Sequence, residues 1–141
     1  MTLMEVMVAI GILVLVLLIG IPAFRSGQEG TKLKVDARAL LGDLRLAQQL
    51  TVGEQTTYLV KIFSNPNKYQ LLRRTATDTI IKERPLTGGI IWQATGGFTN
   101  NEIVFTTAGA VVEAGTVVLQ NTTNNENINV EIKPSGYVRV N

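Results

Sequence analysis

VMVAIGILVLVLLIGIPAF, residues Val6 to Phe24, runs for 19 positions without a charged side chain. At about 1.5 Å of rise per residue, a helix of this length spans roughly 28 Å, close to the roughly 30 Å of a bilayer's hydrocarbon core. Its apolar residues lie on every side, so it is not the single buried face of a surface helix. Two rival readings meet difficulties. A secretory signal peptide opens with Lys or Arg and closes on a small-residue cleavage site, whereas this chain opens Met1-Thr2-Leu3-Met4-Glu5. A core helix of a small domain rarely hides so long an uncharged run. The segment is expected to lie in a membrane or in equivalent apolar packing.

On the N-terminal side of this run stands Glu5. Bringing a carboxylate into lipid costs at least a few kcal/mol, and more without a partner. Glu5 either snorkels into the headgroups or pairs with a cation. The nearest basic side chain, Arg25, is about 30 Å away along a helix. The α-amino group of Met1 is the remaining candidate, being mostly protonated near neutral pH. That pairing can form within one chain or between neighbours offset along a bundle.

On the C-terminal side, Pro22 removes a helical hydrogen bond and clashes with the preceding turn, while Gly20 adds backbone freedom, so a kink is expected there. Beyond it Leu33, Ala37, Leu40, Leu41, Leu44, Ala47 and Leu50 recur every three or four residues. This period predicts an amphipathic helix to about Val52, with Gly53 as its stop. Lys34, Asp36, Arg38, Asp43 and Arg45 fall largely between the apolar positions, on a charged face expected to be open to solvent or neighbours. The two helical parts together would reach roughly 75 Å, so half the helix must protrude.

From Thr56 the pattern changes to strands. Thr57–Phe63 and Lys68–Arg73 flank the turn Asn65-Pro66-Asn67 as a hairpin. Thr79–Arg84, ended by Pro85, then Ile90–Trp92, Glu102–Thr106, Gly115–Gln120, Ile128–Lys133 and Tyr137–Val140 follow, with glycine pairs between several of them. Short strands at hairpin spacing predict an antiparallel head packed on the helix, an α+β fold. The tract from Gln120 to Asn127 contains a sequon at Asn121, read as loop chemistry.

The whole chain has 141 residues, with 13 Lys and Arg, 11 Asp and Glu, and neither His nor Cys. Imidazole-based triads, thiolate metal sites and disulfides are thereby excluded. The carboxylates of the β-rich half show no paired spacing for glycoside chemistry, and there is neither a phosphate loop nor a nucleophile elbow. No catalytic residue, cofactor or metal is expected, and the chain is read as a non-enzyme.

The start Met1-Thr2-Leu3-Met4-Glu5-Val6, the apolar stretch and Pro22 resemble the mature N-terminus of type IV pilins and of the pseudopilins of type II secretion. In that family a prepilin peptidase removes a leader ending in Gly, and the new first residue is N-methylated. The Glu at the fifth position then pairs with the N-terminal amine of an adjacent subunit. The resemblance implies a pilin-like fold, with Met1 as the processed and methylated residue and Met1 and Glu5 as the assembly pair. Position one is usually Phe in the family and is Met here. Arg25, Lys32, Lys34 and Arg38 would by themselves keep the following domain cytoplasmic; the family's basic leader would supply competing charge on the other side.

A second resemblance lies between Ile103 and Val140. Ile103-x-Phe105, Gly109, Gly115-Thr116-Val117-Val118-Leu119, Ile128-x-Val130-x-Ile132 and Gly136-Tyr137-Val138-Arg139 are similar to the C-terminal domain of H-class minor pseudopilins and FimT/FimU-like minor pilins. Residues 1–25 are then a transmembrane and filament-core helix, 26–53 an amphipathic helix packing on the head, and 54–141 the antiparallel β head. The implied function is that of a structural subunit, a pilin, of a type IV pilus-like filament, drawn through its N-terminal helix from the inner membrane into a periplasmic or extracellular filament. Its partners would be other copies or other pilins, the prepilin peptidase and an assembly platform. Two alternatives stay open: a minor pseudopilin of type II secretion, or a DNA-binding minor pilin. For DNA, Arg73, Arg74 and Arg139 are the candidate contacts, with Lys82, Arg84 and Lys133 extending a basic face and Tyr69, Trp92 or Tyr137 nearby.

Overall fold

The structure, a computed structural model, describes residues 2–141, with residues 22–29 described by their backbone alone. Helix α1 spans Leu3–Glu54 as one element. The expected kink falls at Pro22, whose side chain lies outside the described residues, as does Met1. The helix runs past Gly53 and ends where Gln55 turns left-handed at φ 51° and ψ 33°. The stop is thus two residues later than the glycine suggests, and a non-glycine residue takes the left-handed position.

Eight strands follow: β1 (Tyr58–Ser64), β2 (Asn67–Arg73), β3 (Thr79–Pro85), β4 (Ile90–Gly96), β5 (Glu102–Val104), β6 (Gly115–Asn121), β7 (Asn127–Ile132) and β8 (Val138–Val140). They form two antiparallel four-stranded sheets, ordered β3-β2-β1-β5 and β4-β6-β7-β8. The hairpin expected around Asn65-Pro66-Asn67 is present, pairing Ser64 with Asn67 and Tyr58 with Arg73. Most strand ends fall within one residue of the sequence pattern, and two differ by more. β4 continues from Trp92 to Gly96, because a register shift between Trp92 and Ala94 lets it keep pairing with β6. β5 stops at Val104, and Phe105 instead forms a lone bridge to Val111.

The core lies where both sheets face the second half of α1. Leu33, Ala37, Leu40, Leu44 and Ala47 are buried on the helix stripe, against Tyr58, Val60, Ile62, Tyr69 and Leu71 of the first sheet and Val117, Leu119, Val130 and Ile132 of the second. Each fully buried Leu contributes about 1.5–3 kcal/mol of transfer free energy. The chain reaches close to the helix again at Gly136. This residue sits at φ 81°, and a Cβ there would collide with the Gly109 carbonyl and the Gln48 amide. Gln48 Nε2 donates to that same carbonyl at 2.5 Å, fastening two loops to the helix. Asn121 is fully buried, and its side-chain oxygen accepts from the Thr123 N–H at 2.9 Å, so it shapes the β6–β7 loop.

Candidate assembly surface

Among the described residues, the first half of α1 packs on nothing in its own chain. Leu3–Ile21 is long and apolar enough to cross a membrane, and none of it is buried. Leu13 is 58% exposed and Leu18 66%, values that water would not support on a continuous helix surface. At its start Thr2 caps the helix in an extended conformation. The Thr2 N–H donates to Glu5 Oε2 at 3.3 Å, and the Glu5 N–H donates to Thr2 Oγ1 at 3.4 Å. This reciprocal capping box serves two backbone donors that the helix start leaves free. The Thr2-x-x-Glu5 spacing is a known signature of such a box, a signal passed over when Glu5 is read only as a charge. The expected Met1 partner of Glu5 lies outside the described residues.

The second half of α1 is fixed to the head by two carboxylates that the helical period had placed on the open charged face. That placement is corrected here: Asp36 and Asp43 are each only 5% exposed. Asp36 accepts from the Thr87 N–H at 2.7 Å and from Thr87 Oγ1 at 2.9 Å. Asp43 accepts from the Tyr69 hydroxyl at 2.6 Å and pairs with Lys82 Nζ at 2.5 Å. Burial, with the Asp43 carboxylate beside it, pushes the Tyr69 phenol far above its ordinary range, so it stays a donor. What is left on the open side of the helix is basic: Lys34, Arg38 and Arg45 are exposed.

The residues singled out for DNA are distributed differently. Arg73 stands opposite Glu54 at 3.8 Å. Arg74 crosses the outer face of the first sheet to Glu102 at 2.7 Å and reaches Asp78 at 3.5 Å. Glu102 also receives Lys61 Nζ at 2.8 Å. Burial pushes the Glu102 carboxyl up, but hydrogen bonds from Lys61 and Arg74 outweigh it and hold the group below its ordinary value. Arg139 lies on the other sheet, 4.0 Å from Glu131. The structure therefore brings each of these arginines to a carboxylate and does not gather them on one face. The placing of Tyr69 and Trp92 beside an open basic face is also corrected. Both rings lie in the core, edge to face at 6.2 Å, because inward positions of β2 and β4 carry them. Tyr137 alone of the three is exposed.

Solved structures share this fold. The minor pseudopilin EpsH from the type 2 secretion system of Vibrio cholerae superposes with a TM-score of 0.67 at 16% identity, over 78% of this chain and 96% of that one. The type IV minor pilin FimU of Pseudomonas aeruginosa superposes with a TM-score of 0.65 at 12% identity, over 80% of this chain and 90% of that one. At such identities the likeness concerns the fold. No curated protein matches by sequence. A family model does match, over residues 36–136, from the buried helix carboxylate to the loop glycine, which is well over half of the chain. The chain belongs to the family described as type II transport protein GspH.

Proposed function

We propose that the chain is a structural subunit of a pilin-like filament, held in the inner membrane by residues 3–21 before assembly and carried by the same residues within the filament afterwards. One observation carries this reading. A single helix has one half whose apolar stripe packs on its own head and another half, Leu3–Ile21, with no cover of its own among the described residues. A soluble role would leave that apolar half in water. Lipid and a bundle of like helices both cover it, and transfer from one to the other costs little because both are apolar. Glu5 then sets register, exchanging its capping-box contact for the N-terminal amine of an adjacent subunit, a role in specificity more than in stability.

The partners in this reading are other pilin-like subunits, with a prepilin peptidase acting on a precursor and an assembly platform in the inner membrane. The filament lies in the periplasm or outside the cell. The family match and the FimU-like fold are compatible with a subunit of a type IV pilus-like filament and with a minor pseudopilin of type II secretion alike. The test is Glu5→Val in the full chain. The variant is expected to insert in the membrane at the normal level and to be missing from sheared filaments. Normal incorporation would refute the role given to Glu5.

A further inference from the structure

We propose that the side of α1 bearing Lys34, Arg38 and Arg45 is a docking surface for an acidic face of a different subunit. The inference rests on the filament reading above and extends it to the kind of neighbour. Steps of four and seven residues return a helix to nearly the same side, so the three cations form one stripe about 16 Å long. All three are exposed, and none has an ion-pair or hydrogen-bond partner among the described residues. The helix carboxylates that would have balanced them, Asp36 and Asp43, are turned into the head and bound there. Beside the stripe lie Val35 and Leu46, both exposed, and Gly42, where a Cβ would meet nothing within 4 Å. The surface is therefore a shallow apolar strip with a positive border, on the same helix as the bare span that has to be covered.

Charge argues against a second copy as the occupant. Among the described residues, Asp43, Glu54, Asp78, Glu83, Glu102 and Glu131 each face a cation of their own chain and Asp36 is held by Thr87, while Glu5, Glu113 and Glu126 stand in three separate places and form no row that would match the stripe. Helix-to-helix contact between two copies on this side would also set like charges against one another, which disfavours that pairing. A subunit presenting carboxylates at matching intervals on a helix satisfies the stripe without that conflict.

The experiment uses the full chain in neutral detergent. The probe is a labelled helical peptide with Glu at positions spaced i, i+4 and i+11, read by fluorescence anisotropy at low salt. Binding is expected, and K34E/R38E/R45E should weaken it about tenfold, as three exposed pairs of ordinary strength would. The same variant should gain affinity for the matching Lys peptide. Reversing an unrelated exposed cation, Lys133→Glu, should leave binding unchanged. An equal loss in that control, no loss in the triple variant, or tighter binding of a short DNA duplex through the same three residues would overturn the proposal.

A second arm uses the absence of cysteine from the chain. Gly42→Cys should give no disulfide-linked homodimer in the membrane, and efficient self-crosslinking there would also overturn it. Both arms are read before filament formation, so loss of filament incorporation leaves them intact and the two readings fail separately.

Discussion

Residues 3–21 and 33–51 belong to one helix, yet they solve the burial of apolar side chains in opposite ways. In the second half, the apolar residues Leu33, Ala37, Leu40, Leu44 and Ala47 come every three or four positions and face a pair of sheets; Leu40 and Leu44 are fully buried. In the first half they come on every side, and Leu13 and Leu18 remain more than half exposed. The second half was shaped by its own chain, so its pattern is periodic. The first half was shaped by surroundings that reach it from all directions, so its pattern is uniform. The charges divide along the same line. Asp36 and Asp43 serve the head, whereas Glu5 has only Thr2 from its own chain among the described residues.

The largest effect that separates the two halves is core truncation. Leu40→Ala should destabilise the head by about 3 kcal/mol, because the transfer term and the cavity add. Leu13→Ala should leave the thermal midpoint of the detergent-solubilised chain unchanged. Equal losses at the two positions in thermal unfolding would break the contrast. Asp43→Ala comes next, at about 2 kcal/mol, since it leaves the buried Tyr69 hydroxyl without its acceptor and Lys82 without its carboxylate. Asp43→Asn should recover part of that loss by keeping an acceptor for Tyr69.

A smaller effect concerns pH. The Glu102 carboxyl is held below its ordinary value in the folded chain, so it contributes stability above the ordinary carboxylate pKa of about 4.3. That contribution is lost as pH falls through the depressed folded value. Glu102→Gln should therefore lower the neutral plateau of a stability–pH curve and flatten part of its acid limb. An unchanged acid limb would show that Lys61 and Arg74 do not favour the charged form. The smallest effect is expected for Arg139→Ala, within about 0.5 kcal/mol of zero, because its pair with Glu131 is exposed and long.

Much of this contrast could be read from the residues before any coordinates. The period from Leu33 to Leu50, the turn at Asn65-Pro66-Asn67 and the β-branched runs depend on neighbours close in sequence, and local pattern records them. The division of the strands into two sheets does not, since it depends on which edges meet after the chain has turned back. The burial of Asp36 and Asp43 was hidden for a related reason. Both lie on the flank of the apolar stripe, and their partners Thr87, Tyr69 and Lys82 come from 26 to 51 positions further along the chain. The paired state of Arg73 and Arg74 was hidden likewise, because Glu54 at the helix end and Glu102 on β5 lie 19 and 28 positions away in the chain. The capping box is the opposite case, a local pattern in plain view at Thr2 and Glu5.

The central claim is that residues 3–21 pass from lipid into contact with other pilin-like subunits while the head keeps its packing. With no native thiol to compete, Leu13→Cys in the full chain tests this directly. The thiol should be shielded from a water-soluble maleimide in the membrane. In sheared filaments it should crosslink to a neighbouring subunit, with Leu40→Cys unreactive in both settings. Free labelling of Leu13→Cys by the aqueous reagent, before and after filament formation alike, would contradict it.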